Sequence, residues 1–179
     1  GAFGATISIQ TANIENEPFA EVASSLGSFN TIKNSVSAGT SLLKEKFALQ
    51  MRYSDLKSDG YVDRTGSDHR SAFITGVYRT GRSRLKANII LGEEHTGIGW
   101  WGVPKDSLAT NRKYNPAGEY TDQAGVTRYY NNESDNYIQN HFQLIYSLKI
   151  SESLSFNSAF HYTKGKGYYE EYRANQSFS

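Results

Sequence analysis

Residues 141–162, HFQLIYSLKISESLSFNSAFHY, alternate between apolar and polar side chains on both sides of a serine-rich turn. Alternation with a period of two is typical of a β-strand that has one apolar and one polar face. If the SES tripeptide forms a three-residue loop, Leu148 lies opposite Phe156 and Gln143 lies opposite His161. A shift of one residue would mix the two faces, so the pattern predicts the register of this hairpin as well as its existence.

The same pattern predicts two further hairpins. Around GRS, at 81–83, the predicted register places Val77 opposite Ala87. Around LKEK, at 43–46, it places Leu42 opposite Phe47. The other predicted apolar partners are Thr75–Ile89, Phe73–Leu91, Thr40–Leu49, Ala38–Met51, Val36–Tyr53, Leu144–Phe160 and Phe142–Tyr162.

Seven strands are predicted in all, and their connections alternate in length. The strands are about 19–29, 34–42, 47–55, 71–80, 84–92, 137–150 and 154–165. From LKEK onward, tight turns alternate with the long polar connections 56–69 and 93–136. In an up-and-down sheet alternate connections lie at the same end, so both long loops share one end. Compact soluble domains rarely contain a loop of more than forty residues, whereas outer-membrane barrels combine short turns with long extracellular loops.

The pattern therefore predicts an all-β fold, an antiparallel up-and-down segment of a transmembrane β-barrel. Every backbone polar group in hydrocarbon needs an internal partner, so such strands require a closed barrel, and seven are fewer than the known minimum of eight. The predicted outward, lipid-facing residues are Phe142, Leu144, Leu148, Phe156, Phe160, Leu49, Met51, Phe73, Ile89 and Leu91. The predicted inward residues are Gln143, Ser147, Asn157, His161, Gln50, Arg52 and Asn88. A soluble β-sandwich, with the apolar face packed on a second sheet, produces the same alternation.

Composition excludes several kinds of chemistry. The net charge is +1, so no electrostatic field attracts nucleic acid, and the absence of cysteine excludes disulfides and thiolate metal sites. We find no catalytic motif, and we predict neither an enzyme nor a cofactor. The segment Glu93–His95 could belong to a metal site at a strand end, but we interpret it as a solvated loop start, because a metal site needs three or four converging ligands. His69, His141 and His161 are isolated in the sequence.

The longest loop contains an unusual number of aromatic residues. Trp100 and Trp101 are adjacent within GWWGVP, and Gly99 and Gly102 flank them. Tyrosines at four further positions complete the predicted ligand-binding set: Tyr114, Tyr120, Tyr129 and Tyr130. Aromatic rings pack on sugars, chelates and flat cofactors, so the set predicts a ligand-binding surface. A loop held together by its own aromatics and an interfacial aromatic belt are the alternatives.

Four segments, taken in order, resemble TonB-dependent outer-membrane receptors of the Bacteroidetes type. GAFGATISIQT resembles the closing segment of the plug domain, and AEVASSLGSFNTIKNSVSAGT resembles the first barrel hairpin. DGYVDRTGSD resembles part of the next extracellular loop, and HYTKGKGYYEEYR resembles a later strand rising into its loop. The resemblance implies that 1–17 are the end of the plug and its linker, and that 18–179 are the N-terminal part of a barrel of 22 strands.

The resemblance also implies a function and partners. Members of the family sit in the bacterial outer membrane and import scarce nutrients, such as iron chelates, haem, cobalamin or glycans. The implied partners are outer-membrane lipid, the nutrient, the TonB complex of the inner membrane and a surface lipoprotein. The TonB box, nearly all of the plug and most of the barrel are not in this sequence. The alternatives are a structural or adhesive outer-membrane barrel without transport, and a soluble carbohydrate-binding β-sandwich.

Overall fold

The computed structural model describes Glu15 and residues 17–172, and these form an all-β structure. The elements are β1 (Phe19–Gly27), β2 (Thr31–Gly39), β3 (Phe47–Ser58), β4 (Ser67–Arg79), β5 (Ser83–Gly97), a 3-10 helix (Lys105–Ser107), β6 (Glu119–Thr121), β7 (Thr127–Tyr129), β8 (Ser134–Lys149) and β9 (Ser155–Glu170). The predicted all-β class is confirmed. The predicted plug segment 1–17 lies outside the described residues, apart from Glu15 and Glu17.

Seven strands form one antiparallel up-and-down sheet in the order β1-β2-β3-β4-β5-β8-β9. Strands β6 and β7 form a separate two-stranded hairpin inside the connection between β5 and β8. Among the described residues each strand of the large sheet contacts only its neighbours, so no second sheet covers either face. No helix in this part of the chain is both long enough and apolar enough to cross a membrane.

The connections are distributed as the sequence predicted, but the strands are longer. The connections 40–46, 80–82 and 150–154 lie at one end, and 28–30, 59–66 and 98–133 lie at the other. Strands β3, β4, β5 and β8 extend into the predicted loops 56–69 and 93–136 through pairs such as His95 opposite Asn136. These residues are polar on both faces, so hydrophobic periodicity carries no signal there. The predicted first strand, 19–29, extends two residues beyond the end of β1 at Gly27, because 28–30 form the turn to β2.

Two of the three predicted registers are confirmed along the strands. Leu148 lies opposite Phe156 between β8 and β9, and Ala38 lies opposite Met51 between β2 and β3. The predicted pair Leu42–Phe47 is wrong, because Phe47 forms a bridge with Leu43 instead. The backbone there inserts one residue, since the amide of Thr40 still donates to the carbonyl of Leu49 at 2.9 Å.

The predicted register between β4 and β5 is wrong by one residue. Val77 lies opposite Lys86, and Ala87 lies opposite Gly76. Within the connection 80–82, the amide of Thr80 donates to the carbonyl of Ser83 at 2.8 Å, so the loop itself has two residues, 81–82, rather than the three predicted. The hydroxyl of Thr80 also accepts from the amide of Ser83 at 3.0 Å, which holds the tight turn closed.

The pairing defines two faces of the sheet. The apolar face carries the directly paired row Met51, Ile74, Ile89, Phe142 and Tyr162. The polar face carries the adjacent row Gln50, Thr75, Asn88, Gln143 and His161. All residues predicted to point inward share the polar face, and the residues predicted to point outward share the apolar face with one exception. Phe73 is the exception, because the register shift places it on the polar face with Val77.

In the central strands of the sheet, the polar face is more buried than the apolar face. On the polar face Asn88 is 1% exposed; it accepts from Thr75 at 2.8 Å and donates to Gln143 at 2.9 Å. On the apolar face Phe160 is 65% exposed. Other exposed apolar residues on that face are Val22, Leu26, Val36, Met51, Phe142, Leu144 and Phe156. A contiguous exposed apolar surface of this kind marks an interaction site.

Candidate ligand-binding platform

Three connections at one end of the sheet fold together into a single unit. We call residues 28–30, 59–66 and 98–133 the loop platform. The amide of Asp59 donates to the carbonyl of Phe29 at 2.9 Å, and the amide of Asp63 donates to the carbonyl of Lys113 at 2.8 Å. The ring of Phe29 also meets the ring of Tyr61 edge to face, with the centroids 5.5 Å apart. The longest connection is thus an ordered structure that rests on its two shorter neighbours.

A buried asparagine holds the centre of the loop platform. The amide nitrogen of Asn115 donates to the carbonyls of Asp63 and Ile98, at 2.9 and 2.8 Å. Its amide oxygen accepts from the backbone of Ala117 at 3.0 Å. Asn115 is only 2% exposed, so these bonds satisfy an amide group that has little access to water. Asn115 therefore links both long loops to the end of β5.

Arg64 provides a second link between the two long loops. Its guanidinium donates to the carbonyl of Asn115 and, at 3.1 Å, to the carbonyl of Ala117. The guanidinium carbon also lies 3.9 Å from the centre of the Tyr129 ring, which is a cation–π distance. Arg64 itself has a positive φ of 60°, which turns the chain toward these partners. One terminal nitrogen and the face of the guanidinium are thus engaged by the protein, whereas its buried Nε has no hydrogen-bond partner among the described residues.

Two of the predicted site tyrosines share one carboxylate. The hydroxyl of Tyr114 donates to Oε2 of Glu119 at 2.6 Å, and that of Tyr129 donates to the same oxygen at 3.1 Å. The hydrogen bond to Glu119 is the main reason that the pKa of Tyr114 is raised to about 12. Burial, followed by the bond to Glu119, raises the pKa of Tyr129. Both hydroxyls are therefore neutral donors at physiological pH.

The other two predicted tyrosines belong to a stack of three rings. Tyr130 lies between Tyr120 and Tyr172, with centroid distances of 4.3 and 4.5 Å. The amide of Tyr172 donates to Oε1 of Glu133 at 2.8 Å, which fixes the third ring next to the platform. Tyr172 follows β9 and was not among the predicted residues. The stack joins the loop platform to the far edge of the sheet.

The two tryptophans occupy the centre of a turn. The amide of Gly102 donates to the carbonyl of Gly99 at 3.2 Å, and Gly102 has a φ of 70°. This geometry places Trp100 and Trp101 at the two central positions, where they are 55% and 63% exposed. Trp100 meets Tyr169 edge to face, at 5.7 Å and 84°. Tyr169 belongs to the polar face, since it lies opposite Asp135, so the pair sits where that face meets the platform.

The structure therefore separates the six predicted ligand-binding residues into two groups. The four tyrosines are engaged in stacks and hydrogen bonds that hold the platform together, and the two tryptophans present aromatic surface to the outside. Tyr169, which was not in the predicted set, joins the exposed group through a contact with Trp100 that crosses between distant parts of the chain. Exposed ring faces and edges next to a polar sheet suit a ligand with both apolar and hydroxyl surface.

The stability of the β6–β7 hairpin should decrease at acidic pH. The amide of Val126, the guanidinium of Arg128 and the amide of Ala124 all donate to Asp122 and hold its pKa below the ordinary value. Because the pKa of Asp122 is lower in the folded hairpin than in the unfolded chain, its carboxylate stabilises the hairpin fully above pH ~3.8, the ordinary pKa of aspartate. This stabilisation is lost as the pH falls through the folded-state pKa. We expect hydrogen exchange in 119–129, corrected for intrinsic rates, to accelerate below about pH 4.

The variant Asp122→Asn should remove this dependence, since the amide does not titrate in that range. Asp106→Asn, in the 3-10 helix of the same loop, is the matched control and should behave like the unmodified chain. An unchanged acid response in Asp122→Asn would contradict the assignment.

Among the described residues, no three histidine, aspartate or glutamate side chains converge into a group that could hold a metal ion. What the platform exposes is the aromatic surface of Trp100 and Trp101. No family model, no curated protein and no solved structure matches this chain.

Proposed function

We propose that this chain is part of an outer-membrane TonB-dependent receptor that binds a scarce nutrient and imports it with energy from the TonB complex. One observation carries the proposal. The up-and-down sheet exposes a continuous apolar face, while the centre of its opposite polar face, at Thr75 and Asn88, is buried and hydrogen-bonded and the edge strands leave that face exposed. In water this arrangement would be unfavourable, since apolar burial is the main driving force of folding. In a bilayer it is the favourable one, with lipid outside and a polar lumen inside.

The edges of the sheet support a larger barrel. Strands β1 and β9 each have only one partner among the described residues, so each has an unpaired side. Within hydrocarbon, unpaired backbone amides and carbonyls cost several kcal/mol each, on the order of the cost of burying any polar group without a partner. Both edges would therefore pair with further strands of the same barrel.

The loop platform supports a role in ligand capture. In outer-membrane barrels the long loops face the outside of the cell. The platform lies at the long-loop end, is ordered by Asn115 and Arg64, and presents Trp100 and Trp101 next to the polar face. A rigid base below exposed aromatic rings reduces the entropy lost on binding. The choice of a TonB-dependent receptor over other barrels rests on the resemblance of the four segments described above.

Growth on defined nutrients tests this proposal. A strain without the gene is complemented with the complete protein and grown with iron chelate, haem, cobalamin or glycan as the limiting nutrient. We expect restored growth on one of the four, and loss of that growth when the TonB complex is inactivated. Equal growth of the two strains on all four nutrients would count against import. Membrane insertion without any nutrient effect would favour the structural or adhesive barrel.

We expect the double substitution Trp100→Ala and Trp101→Ala to weaken binding of the identified nutrient to whole cells by at least about tenfold, which corresponds to about 1.4 kcal/mol. Large buried or stacked aromatic residues are the usual anchors of binding energy. Leu108→Ala, an exposed apolar residue of the same loop, is the matched control and should bind normally. Protease resistance of the loop must be retained in each variant. Unchanged affinity with an intact loop would exclude the tryptophans from the site.

A further inference from the structure

Two histidines that are twenty positions apart in the sequence meet on the polar face. Nδ1 of His141 lies 3.3 Å from Nε2 of His161, on neighbouring strands β8 and β9. The hydroxyl of Thr163, which is directly opposite His141, lies 3.0 Å from the first nitrogen and 2.9 Å from the second. The expectation that these histidines are isolated is therefore wrong, because only the register of the hairpin brings them together.

The separation of the two nitrogens matches that of two ligands on one metal ion. Imidazole nitrogens bind Zn²⁺ at about 2.0–2.1 Å, and at a tetrahedral angle two such nitrogens lie about 3.3–3.4 Å apart. We propose that His141 and His161 form a two-histidine site for a divalent transition-metal ion, with Zn²⁺ as the reference ion. Imidazole is a ligand that suits zinc, copper and nickel, and it does not suit magnesium or calcium.

The protonation states are compatible with this role. In a hydrogen bond between the two facing nitrogens, one nitrogen carries a proton and donates it to the hydrogen bond, and the other nitrogen is the acceptor. When both lone pairs point to an ion, that proton moves to the remote nitrogen of the same ring, so two neutral imidazoles remain. The Thr163 hydroxyl loses no necessary partner, since it can turn toward the ligands or toward water.

Among the described residues, no charged side chain is an immediate neighbour of the pair on the polar face. The neighbours on β5, β8 and β9 are Asn88, Ile90, Gly92, Gln139, Gln143, Ile145, Ala159 and Gly165. Two protein ligands leave at least two coordination positions of a tetrahedral ion open to water or to another ligand. Structural zinc sites are closed by four protein ligands, whereas open positions allow exchange. The site is thus suited to a metal ion, or a metal complex, that arrives and leaves.

This inference does not depend on the proposed import function, because it requires only that the polar face be accessible to water. The test is calorimetric titration of ZnCl₂ into the complete protein purified in detergent. We expect His141→Gln and His161→Gln each to weaken one zinc-binding event by about tenfold or more, because even the loss of a supporting residue near a metal weakens binding to that extent. Circular dichroism checks that the β-structure is retained in each variant.

His95→Gln is the matched control, since His95 lies on the apolar side of the same sheet and its Nδ1 is 2.6 Å from the amide oxygen of Asn136. This variant should bind zinc like the unmodified protein. The inference is overturned if the unmodified protein binds no zinc, or if both His→Gln variants bind it unchanged. It is also overturned if His95→Gln reduces binding as much as they do. Normal zinc binding without nutrient-dependent growth would refute the import function and leave the zinc site supported.

Discussion

Replacing Gly97 with alanine should detach the loop platform from the sheet. A β-carbon at Gly97 would lie 2.0 Å from the carbonyl oxygen of Arg64 and 2.9 Å from its carbonyl carbon. Both atoms belong to the backbone, so no change of rotamer relieves the overlap. The amide of Gly97 also donates to the carbonyl of Gly66 at 2.7 Å, and a shift of the loop would break this bond. We expect destabilisation of the platform by about 3 kcal/mol or more, from overpacking together with the lost hydrogen bond.

Limited proteolysis of the complete purified protein measures this effect, with cleavage expected within 98–133. Gly81→Ala is the matched control, because nothing lies within 4 Å of a β-carbon at that position and its φ is not positive. The control should keep the cleavage pattern of the unmodified protein. If Gly97→Ala were as resistant as Gly81→Ala, the close approach of Gly97 to Arg64 would not be what holds the platform.

Placing an arginine on the apolar face should destabilise the protein far more than placing one on the polar face. Phe160 is exposed on the apolar face of β9, opposite Leu144. If that face contacts hydrocarbon, Phe160→Arg brings a charge into lipid and should cost about 2–4 kcal/mol, the range for arginine near the middle of a bilayer. If the same face contacted water, the cost would be small, because surface substitutions are usually within about 0.5 kcal/mol. The measurement is the free energy of folding of the complete protein into lipid bilayers.

The neighbouring residue is the matched control. Ala159 lies on the same strand and is also exposed, but it belongs to the polar face, opposite Ile145. If the polar face lines an aqueous lumen, Ala159→Arg should change the folding free energy by less than about 1 kcal/mol, because water solvates the charge. Equal tolerance of arginine at both positions would refute lipid exposure. A protein that folds in water without detergent would favour the soluble carbohydrate-binding sandwich.

The alternation of residue types was sufficient to predict the strands and two of the registers. In β8 and β9 most of the large apolar residues near the middle of the strands, such as Leu144 and Phe160, lie on one face, with Ile145 as the exception, so a shift by one residue would expose the wrong side chains. In β4 the situation differs, because Phe73 and Ile74 are adjacent, as are Val77 and Tyr78. Both faces of that strand carry apolar residues, and the pattern is compatible with either register. The hydrogen bonds of the Thr80–Ser83 turn decide between them.

The candidate sites depended even more on the tertiary structure. The aromatic richness of 98–133 was visible in the sequence, but the free and engaged rings could not be distinguished. That distinction comes from Glu119, Arg64 and Tyr172, whose contacts with the tyrosines join separate segments of the chain. The pairing of His141 with His161 was likewise hidden, because it is diagonal across two strands. Local periodicity reports which face a side chain occupies, whereas a binding site depends on distances between atoms, and only the folded chain determines those distances.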